Sequence, residues 1–372
     1  MRLHALNGRA AEEKPVLITG GAGFIGTNLA HRLASGGRRV IVYDNLSRPG
    51  VKQNLAWLRA AHGDLIEAEI ADIRDAARLK SAVGRAAQVF HLAAQVAVTA
   101  SLIDPLQDFL VNAGGTLTLL EAVRNSPTPP PLVFTSTNKV YGAIDDLALD
   151  QSMTRYAPQK RGRGHRGIDE RRPLDFRSPY GCSKGAADQY VLDYARSYGL
   201  PALVFRMSCI YGPHQCGTED QGWVAHFLLS AIAGRPITIY GDGCQVRDIL
   251  YIDDLVDAFL LAQRGMAELR GKAFNIGGGP ENTTSLIELV SRIAALHGSA
   301  PDIIGGAWRT GDQRYYVSDH SKFSAATGWR PNVSAADGVA RLYRWLGERH
   351  ASSSKEQSAS PALVASPLGV PA

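Results

Sequence analysis

Short apolar runs alternate, through the first part of the chain, with longer stretches in which apolar residues recur at helical spacing. The short runs predict buried β-strands at residues 16–19, 39–43, 65–70, 88–92, 132–135 and 202–206. Helical stretches such as 27–33 separate these runs. The alternation predicts an α/β fold with a doubly wound parallel sheet. Ligands of such sheets bind beyond the carboxyl ends of the strands, so functional residues are expected in the segments that follow each strand.

A glycine-rich turn joins the first predicted strand to the first predicted helix. Gly20, Gly23 and Gly26 have the spacing G-x-x-G-x-x-G. They suit a tight turn, a close approach of the backbone to a pyrophosphate, and close packing of the helix on the strand. Asp44 follows Gly26 by 18 residues, at the end of the second strand, where a carboxylate accepts hydrogen bonds from an adenosine ribose. A Rossmann dinucleotide site is therefore predicted. The carboxylate favours NAD over NADP, and Arg48 nearby keeps NADP open.

The pattern changes after residue 207 and predicts a second, smaller unit. Further strands are predicted at 237–240 and 273–277, and further helices at 254–263 and 286–296. Ser285 is a candidate cap for the last of these helices. We predict an N-terminal extension at 1–14, a Rossmann domain at 15–206 and 240–270, a smaller C-terminal substrate lobe at 207–239 and 271–348, and a disordered tail at 349–372.

Composition excludes several classes of protein. The formal charge of +5 is too small to argue for nucleic-acid binding, and no apolar run approaches the roughly 18 residues of a membrane span. The first 14 residues lack the apolar segment of a signal peptide. The four cysteines show no metal-ligand spacing and predict free thiols in a reducing compartment. We therefore expect a cytoplasmic protein that binds neither metal nor membrane.

A tyrosine and a lysine share one face of the helix predicted after Ser178. Tyr180 and Lys184 are four residues apart, which places their Cβ atoms about 6 Å apart in a helix. A free tyrosine has a pKa of about 10 and is a weak base at neutral pH. A neighbouring ammonium lowers that pKa towards the working range. The pair is a candidate acid/base, although an ordinary surface helix can show the same spacing.

These motifs together resemble the extended short-chain dehydrogenase/reductases, a family that includes NAD-dependent epimerases and dehydratases of nucleotide sugars. The resemblance covers about residues 16–346. A finer resemblance is to the subfamily of CDP-tyvelose 2-epimerases, also called CDP-paratose 2-epimerases. It rests on the strings at 136–142, 175–190, 220–224, 245–248 and 312–314. The basic loop at 159–167 and the two tails of the chain depart from the family pattern. The longer polar run at 159–172 is either a solvated loop or a lid over an anionic substrate.

The resemblance implies a role for each matching residue. Thr137 matches the catalytic hydroxyl, Tyr180 the acid/base, and Lys184 its partner, which would also hold the nicotinamide ribose. The implied cofactor-binding residues are Gly20, Gly23, Phe24, Ile25, Gly26, Asp44, Asn45, Asp72, Ile73, Ala93, Gln95, Tyr180 and Lys184. The implied substrate-binding residues are Thr137, Asn138, Gln221, Trp223, Arg247 and Arg314, with the two arginines on the pyrophosphate. Surface ion pairs for the arginines and a core position for Trp223 are the alternatives.

The implied activity is inversion of C2 of a nucleotide-linked deoxysugar, most like a CDP-sugar, through a transient 2-keto intermediate and with NAD recycled in each turnover. Nucleotide-sugar dehydratases carry Asp-Glu where this chain has Asn138 and Lys139, which counts against elimination of water. The alternatives are a UDP-sugar 4-epimerase, a net NAD(P)-dependent reductase and a non-catalytic dinucleotide sensor, the last disfavoured by the intact catalytic set. The resemblance also implies a homodimer or homotetramer paired through helices at 99–124 and 180–198.

Overall fold

The structure is a computed structural model that describes residues 14–159, 166–309 and 311–359, with the side chains of 352–359 left undescribed. Part of the basic loop and residues 360–372 of the predicted tail lie outside the described residues. None of the described helices is long and apolar enough to cross a membrane. Within the same ranges, no three His, Cys, Asp or Glu side chains are grouped so that they could hold a metal ion.

The described residues form strands and helices that alternate through the first part of the chain. The strands are β1 (Val16–Thr19), β2 (Val40–Asp44), β3 (Ile66–Ile70), β4 (Gln88–His91), β5 (Leu132–Thr137), β6 (Leu149–Gln151), β7 (Tyr156–Pro158), β8 (Ala202–Met207), β9 (Cys209–Tyr211), β10 (Ile237–Tyr240), β11 (Val246–Tyr251), β12 (Ala273–Ile276), β13 (Thr283–Ser285), β14 (Ile303–Gly306) and β15 (Tyr315–Tyr316). The α-helices are α1 (Phe24–Ser35), α2 (Val51–His62), α3 (Ala76–Arg85), α4 (Val98–Ile103), α5 (Pro105–Phe109), α6 (Gly115–Arg124), α7 (Ser178–Ser197), α8 (Trp223–Ile232), α9 (Ile252–Arg264), α10 (Met266–Leu269), α11 (Leu286–His297), α12 (Ser321–Thr327) and α13 (Ala335–Ala359). Short 3₁₀ turns occur at Gly63–Leu65, Asn138–Tyr141 and Pro280–Asn282, and one π-helical turn at Leu110–Gly114.

A seven-stranded parallel sheet forms the centre of the molecule, in the order β12-β8-β5-β4-β1-β2-β3. Strands β1, β4 and β5 are buried along their whole length, as expected for a parallel sheet covered on both faces. Alternate residues of β1 enter different cores. Val16 and Ile18 pack in the cluster that contains α1 and α9, and Leu17 packs in the cluster that contains α3, α6 and α7. The predicted doubly wound α/β fold is confirmed.

The C-terminal part of the chain builds a small second sheet in which β11 is the central strand. Strand β11 pairs with β13, β15 and β9. Helix α11 begins with a capping box, because the Ser285 hydroxyl accepts from the Glu288 amide and the Glu288 carboxylate accepts from the Ser285 amide. The predicted cap is therefore confirmed. Helices α8, α11 and α13 pack around this part of the chain.

Three predicted boundaries differ from the structure. Strand β12 is the edge strand of the central sheet, paired with β8, so the sheet domain does not end at 270. The helix predicted at 99–124 is divided into α4, α5, the π-helical turn and α6, and Pro105 stands where a continuous helix would need an amide donor. Helix α13 runs on to Ala359, past the predicted boundary at 348.

Candidate active site

A cavity of about 490 Å³ lies at the carboxyl ends of the central strands, where the strand order reverses between β1 and β4. Each predicted cofactor-binding residue lines it. They are Gly20, Gly23, Phe24, Ile25, Gly26, Asp44, Asn45, Asp72, Ile73, Ala93, Gln95, Tyr180 and Lys184. Of the predicted substrate-binding residues, Gln221 also lines this cavity. The fold therefore gathers in one place residues that are spread over some 200 positions of the sequence.

The glycine turn forms the floor of the cavity and leaves no room for side chains. A Cβ atom on Gly26 would lie 2.4 Å from the carbonyl oxygen of Gly20, and Gly20 itself has a φ of +69°. Helix α1 begins after Gly23, which provides no side-chain cap. The first amides of α1 are therefore available to an anion, and the helix dipole favours one there.

Two carboxylates line the part of the cavity that lies beside β2 and β3. Asp44 accepts from the amides of Ala22 and Leu46, at 3.2 and 2.9 Å, and burial raises its pKa. The carboxylate of Asp72 accepts a hydrogen bond from the guanidinium of Arg74 at 2.7 Å. This bond lowers the pKa of Asp72 to about 2. A pyrophosphate cradle with a carboxylate at the end of the second strand fits the diphosphate and ribose of NAD.

Tyr180 and Lys184 lie on one face of α7, and both are buried. The Lys184 ammonium donates to the carbonyl oxygen of Thr135 at 2.7 Å and stands 4.2 Å from the ring centre of Phe134. Burial lowers the pKa of Lys184 to about 7, although the carboxylates of Asp188 and Asp108 raise it. The lysine is therefore directed into the site by a backbone acceptor at the end of β5.

The expectation that Lys184 lowers the pKa of Tyr180 is not borne out by the geometry. Burial raises the Tyr180 pKa to about 12, and the groups that lower it are the Thr137 hydroxyl, through a hydrogen bond, and the Arg48 guanidinium. The Lys184 ammonium donates one of its three hydrogens to the carbonyl oxygen of Thr135. Thr137 and Arg48 are therefore the two groups that favour a phenolate at Tyr180. The catalytic role of Thr137 that the family resemblance implied stays a prediction.

A buried polar cluster beneath the tyrosine was not predicted from the sequence. Asp108 of α5 accepts from Gln95 at 2.7 Å and from the hydroxyl of Ser183, and burial raises its pKa. Asn112, in the π-helical turn, donates to Ser183 at 3.0 Å. Ser183 lies in the string 175–190 that carries the family resemblance. Its partners Asp108 and Asn112 lie at 99–124, where the resemblance implies only a helix. The cluster fixes the start of α7 against the 95–112 segment.

The other predicted substrate residues lie around β11 and the segment before β15. Arg247 is buried and donates to Asp312 at 2.7 Å. Lys139, whose pKa is lowered to about 8 by burial and by Arg247, donates to the carbonyl oxygen of Gly311 at 3.0 Å. Asn138 donates to Gln313 at 3.2 Å. The segment 311–314 therefore meets the catalytic strand end directly.

The remaining three predicted residues are placed differently from one another. The guanidinium of Arg314 stands 5.7 Å from the ring centres of Tyr156 and Trp308. Gln221 accepts a hydrogen bond from Arg48 at the mouth of the cavity. Trp223 packs against Phe227 at the start of α8 and joins the apolar core from its edge, in keeping with the alternative of a core tryptophan.

Comparison with known proteins gives consistent matches over most of the chain. The model of the NAD dependent epimerase/dehydratase family matches residues 16–277. The CDP-paratose 2-epimerase of Salmonella typhi is 44% identical over 336 residues, covering 89% of this chain and 98% of the relative. A Thermus thermophilus UDP-glucose 4-epimerase complexed with NAD superposes with a TM-score of 0.75 at 32% identity, covering 89% and 98%. A Thermotoga maritima UDP-glucose 4-epimerase with UDP-glucose gives 0.76 at 30%, covering 90% and 99%.

Proposed function

This chain belongs to the NAD dependent epimerase/dehydratase family and is an NAD-dependent nucleotide-sugar epimerase, and we propose that it inverts C2 of a CDP-linked deoxysugar, converting CDP-paratose to CDP-tyvelose. The single observation that carries the choice of substrate is the 44% identity to a CDP-paratose 2-epimerase over nearly its full length. The two other relatives named above act at C4 of glucose and are less similar in sequence.

The residues of the site support a reaction at a sugar hydroxyl. In this proposal Thr137 hydrogen-bonds the reacting hydroxyl and Tyr180 removes its proton; the position of Thr137 at the end of β5 and its lowering of the Tyr180 pKa support these roles. Bound NAD supplies the hydride acceptor and donor, and it would be held by the glycine turn, Asp44 and Lys184. The 2-keto sugar then presents its opposite face, and Tyr180 returns the proton to the oxygen.

The pair Asn138 and Lys139 argues against a dehydratase activity. Elimination of water needs an acid and a base next to the sugar, and neither side chain is a carboxylic acid. The Lys139 ammonium is also drawn away by the carbonyl oxygen of Gly311. The second candidate is a UDP-sugar 4-epimerase, which the two UDP-glucose 4-epimerase structures favour.

Product analysis separates these candidates. The purified enzyme is incubated with a panel of CDP-, UDP- and GDP-linked hexoses and deoxyhexoses, and the products are identified by NMR. We expect inversion at C2 of CDP-paratose. Inversion at C4 of a UDP-sugar, without any reaction of CDP-paratose, would establish the second candidate, and net consumption of added NAD(P)H would establish a reductase.

Isotope labelling then tests the route. The carbon that inverts carries a hydroxyl and has no adjacent carbonyl to stabilise a carbanion. We therefore expect substrate labelled with deuterium at C2 to keep its label in ordinary water. Loss of the label at the rate of turnover would show that a proton is removed from carbon.

The assembly that we propose is a homodimer in the cytoplasm. Helices α4 and α5 expose large apolar side chains, with Ile103 85% and Leu106 66% exposed and Leu102 and Phe109 beside them. Apolar surface of this kind marks association sites. Light scattering of the purified protein should give twice the chain mass of 40.0 kDa, or four times for a tetramer. Charged substitutions at Ile103 and Leu106 should yield monomers.

A further inference from the structure

Gln313 is a fully buried glutamine that the proposed mechanism does not use. In the sequence it lies between Asp312, which pairs with Arg247, and Arg314. Its side-chain amide donates to the carbonyl oxygen of Gly142 at 2.5 Å and its side-chain oxygen accepts from Asn138 at 3.2 Å. Both polar atoms of the Gln313 side chain therefore form hydrogen bonds with the segment 137–142, which carries Thr137.

The donors and acceptors of this cluster permit one orientation. A carbonyl oxygen such as that of Gly142 can only accept, so the NH₂ group of Gln313 must face it. The Gln313 oxygen therefore faces Asn138, and Asn138 must present its own NH₂ group in return. What remains of Asn138 is its oxygen, which lies 3.4 Å from the Thr137 hydroxyl.

We propose that Gln313 is a positioning residue that fixes the carboxamide of Asn138 so that its oxygen, and not its NH₂ group, faces the catalytic hydroxyl of Thr137. The proposal rests on the proposed function only in taking Thr137 and Tyr180 as the catalytic pair.

This orientation controls what the Thr137 hydroxyl can do. Its oxygen already accepts from the amide of Lys139 at 3.2 Å. Its single proton can go either to the Asn138 oxygen or to the oxygen of Tyr180. While Tyr180 is neutral the Asn138 oxygen takes the proton; when Tyr180 becomes a phenolate the hydroxyl turns towards it. A reversed Asn138 would offer a donor instead and would leave the hydroxyl permanently directed at the tyrosine.

The same geometry makes position 138 intolerant of an ionised carboxylate. With aspartate at 138, two acceptors, its carboxylate and the Gln313 oxygen, would face each other. Protonation of the carboxyl removes the conflict, since the acid O–H then donates to Gln313 and the other oxygen still faces Thr137. Gln313 therefore selects a neutral group at the position where the dehydratases carry an acid.

The first test uses Asn138→Asp and needs no substrate. The charged groups of the adjoining segments are Lys139, Arg247 and Asp312, with both cations paired to the one carboxylate. Their net positive charge would lower the pKa of an introduced carboxyl. The proposal predicts the opposite direction because of Gln313. The stability of N138D relative to the parent should fall as the pH rises above the ordinary pKa of aspartate, about 3.9, since the folded state then holds a proton that the unfolded state has lost.

A double-variant cycle assigns that effect to Gln313. In N138D with Gln313→Met the facing oxygen is gone, so the introduced carboxyl should ionise at least one pH unit lower than in N138D alone. Gln88→Met, which removes another buried glutamine far from the site, should leave the pH dependence of N138D unchanged. An identical pH dependence of N138D with and without Gln313 would overturn the proposal. Normal ionisation of the carboxyl in N138D itself would also overturn it, and that measurement needs no double variant.

The second test of the proposal is the steady-state kinetics of Gln313→Met. We expect kcat to fall about 3- to 10-fold, the worth of one neutral hydrogen bond, with KM within about twofold and the acid limb of the kcat profile, which reports Tyr180, moved to lower pH. A purely structural role would instead raise KM through Arg314 and leave the profile in place. Failure to act on CDP-paratose would refute the substrate assignment, while the stability cycle would still decide the role of Gln313.

Discussion

The cofactor side and the substrate side of this site are built by different means. The cofactor side is made mostly of backbone at the ends of β1, β2 and β4, and its residues occupy one cavity. The substrate side is made of side chains that meet across long sequence distances, such as Arg247 with Asp312 and Asn138 with Gln313. A site made of backbone is specified by a local motif. A site made of paired side chains exists only once the chain has folded.

The largest effect is expected where the two sides meet, at Tyr180. Tyr180→Phe keeps the ring and removes the titrating hydroxyl, so turnover should fall by about 10² to 10⁴, the usual worth of acid–base catalysis. The NAD content of the purified protein should not change, because the cavity is intact. Tyr190→Phe, on the exposed face of the same helix, is the matched control. Turnover within a few-fold of the parent in Y180F would mean that another group is the base.

The cofactor side has one side chain that should matter strongly. Asp44→Asn removes the charge that receives the adenosine ribose, and the affinity for NAD should fall by about 100-fold, the upper range for hydrogen bonds to charged groups. Titration of the stripped protein with NAD measures this, with Asp64→Asn in the exposed turn as control. The KM for the sugar nucleotide should stay the same. Native protein that carries NADP would contradict the argument from Asp44.

A substitution on the substrate side of the site should change the KM for the sugar nucleotide. Arg247→Met removes a guanidinium shaped for a pyrophosphate, so KM should rise by about tenfold while the NAD content stays at the parent level. Arg85→Met, which breaks surface ion pairs with Glu67 and Glu69, is the control. If Arg247 serves only to balance Asp312, the variant will lose stability and its KM will not change.

The smallest effect is a slope of stability with pH that comes from Lys184. Its pKa is about 7 in the folded protein, below the ordinary 10.5. Between these values the unfolded chain binds the extra proton, so the stability of the parent should rise with pH relative to Lys184→Met. The slope cannot exceed about 1.4 kcal/mol per pH unit. Denaturant titrations at pH 7, 8 and 9 measure it; a difference that is flat with pH would show that burial does not depress this pKa.

The same contrast explains how much the sequence could predict. The glycine turn and the buried strands are local patterns whose period and spacing follow from backbone geometry, and these predictions are confirmed by the fold. Asp44 lines the cavity, while its role towards the ribose stays a prediction. The effect of Lys184 on the pKa of Tyr180 was predicted wrongly because spacing on a helix says nothing about burial, which raises that pKa. Gln313 stands in one of the strings that carry the family resemblance, but its pairing with Asn138 could not be predicted, since Asn138 lies 175 residues earlier in the chain.

Two further differences have the same origin. Strand β12 is four residues long, and its place at the sheet edge is set by pairing with β8 and not by its own pattern. Asp108 and Asn112 belong to a segment for which the family resemblance implied a continuous helix. The break at Pro105 and the π-helical turn bring them to Ser183. In both places tertiary contacts override local preference.

The distance in sequence between Asn138 and Gln313 has a consequence for the growing polypeptide. The residues that line the cavity lie between Gly20 and Gln221, so all of them leave the ribosome before the segment 311–314 has been made. Chains fold from the N-terminus during synthesis, which gives the nucleotide-binding sheet time to form first. We therefore expect a nascent chain halted after about residue 310 to be able to bind NAD while its substrate side, which needs Gln313 and Arg314, is still incomplete.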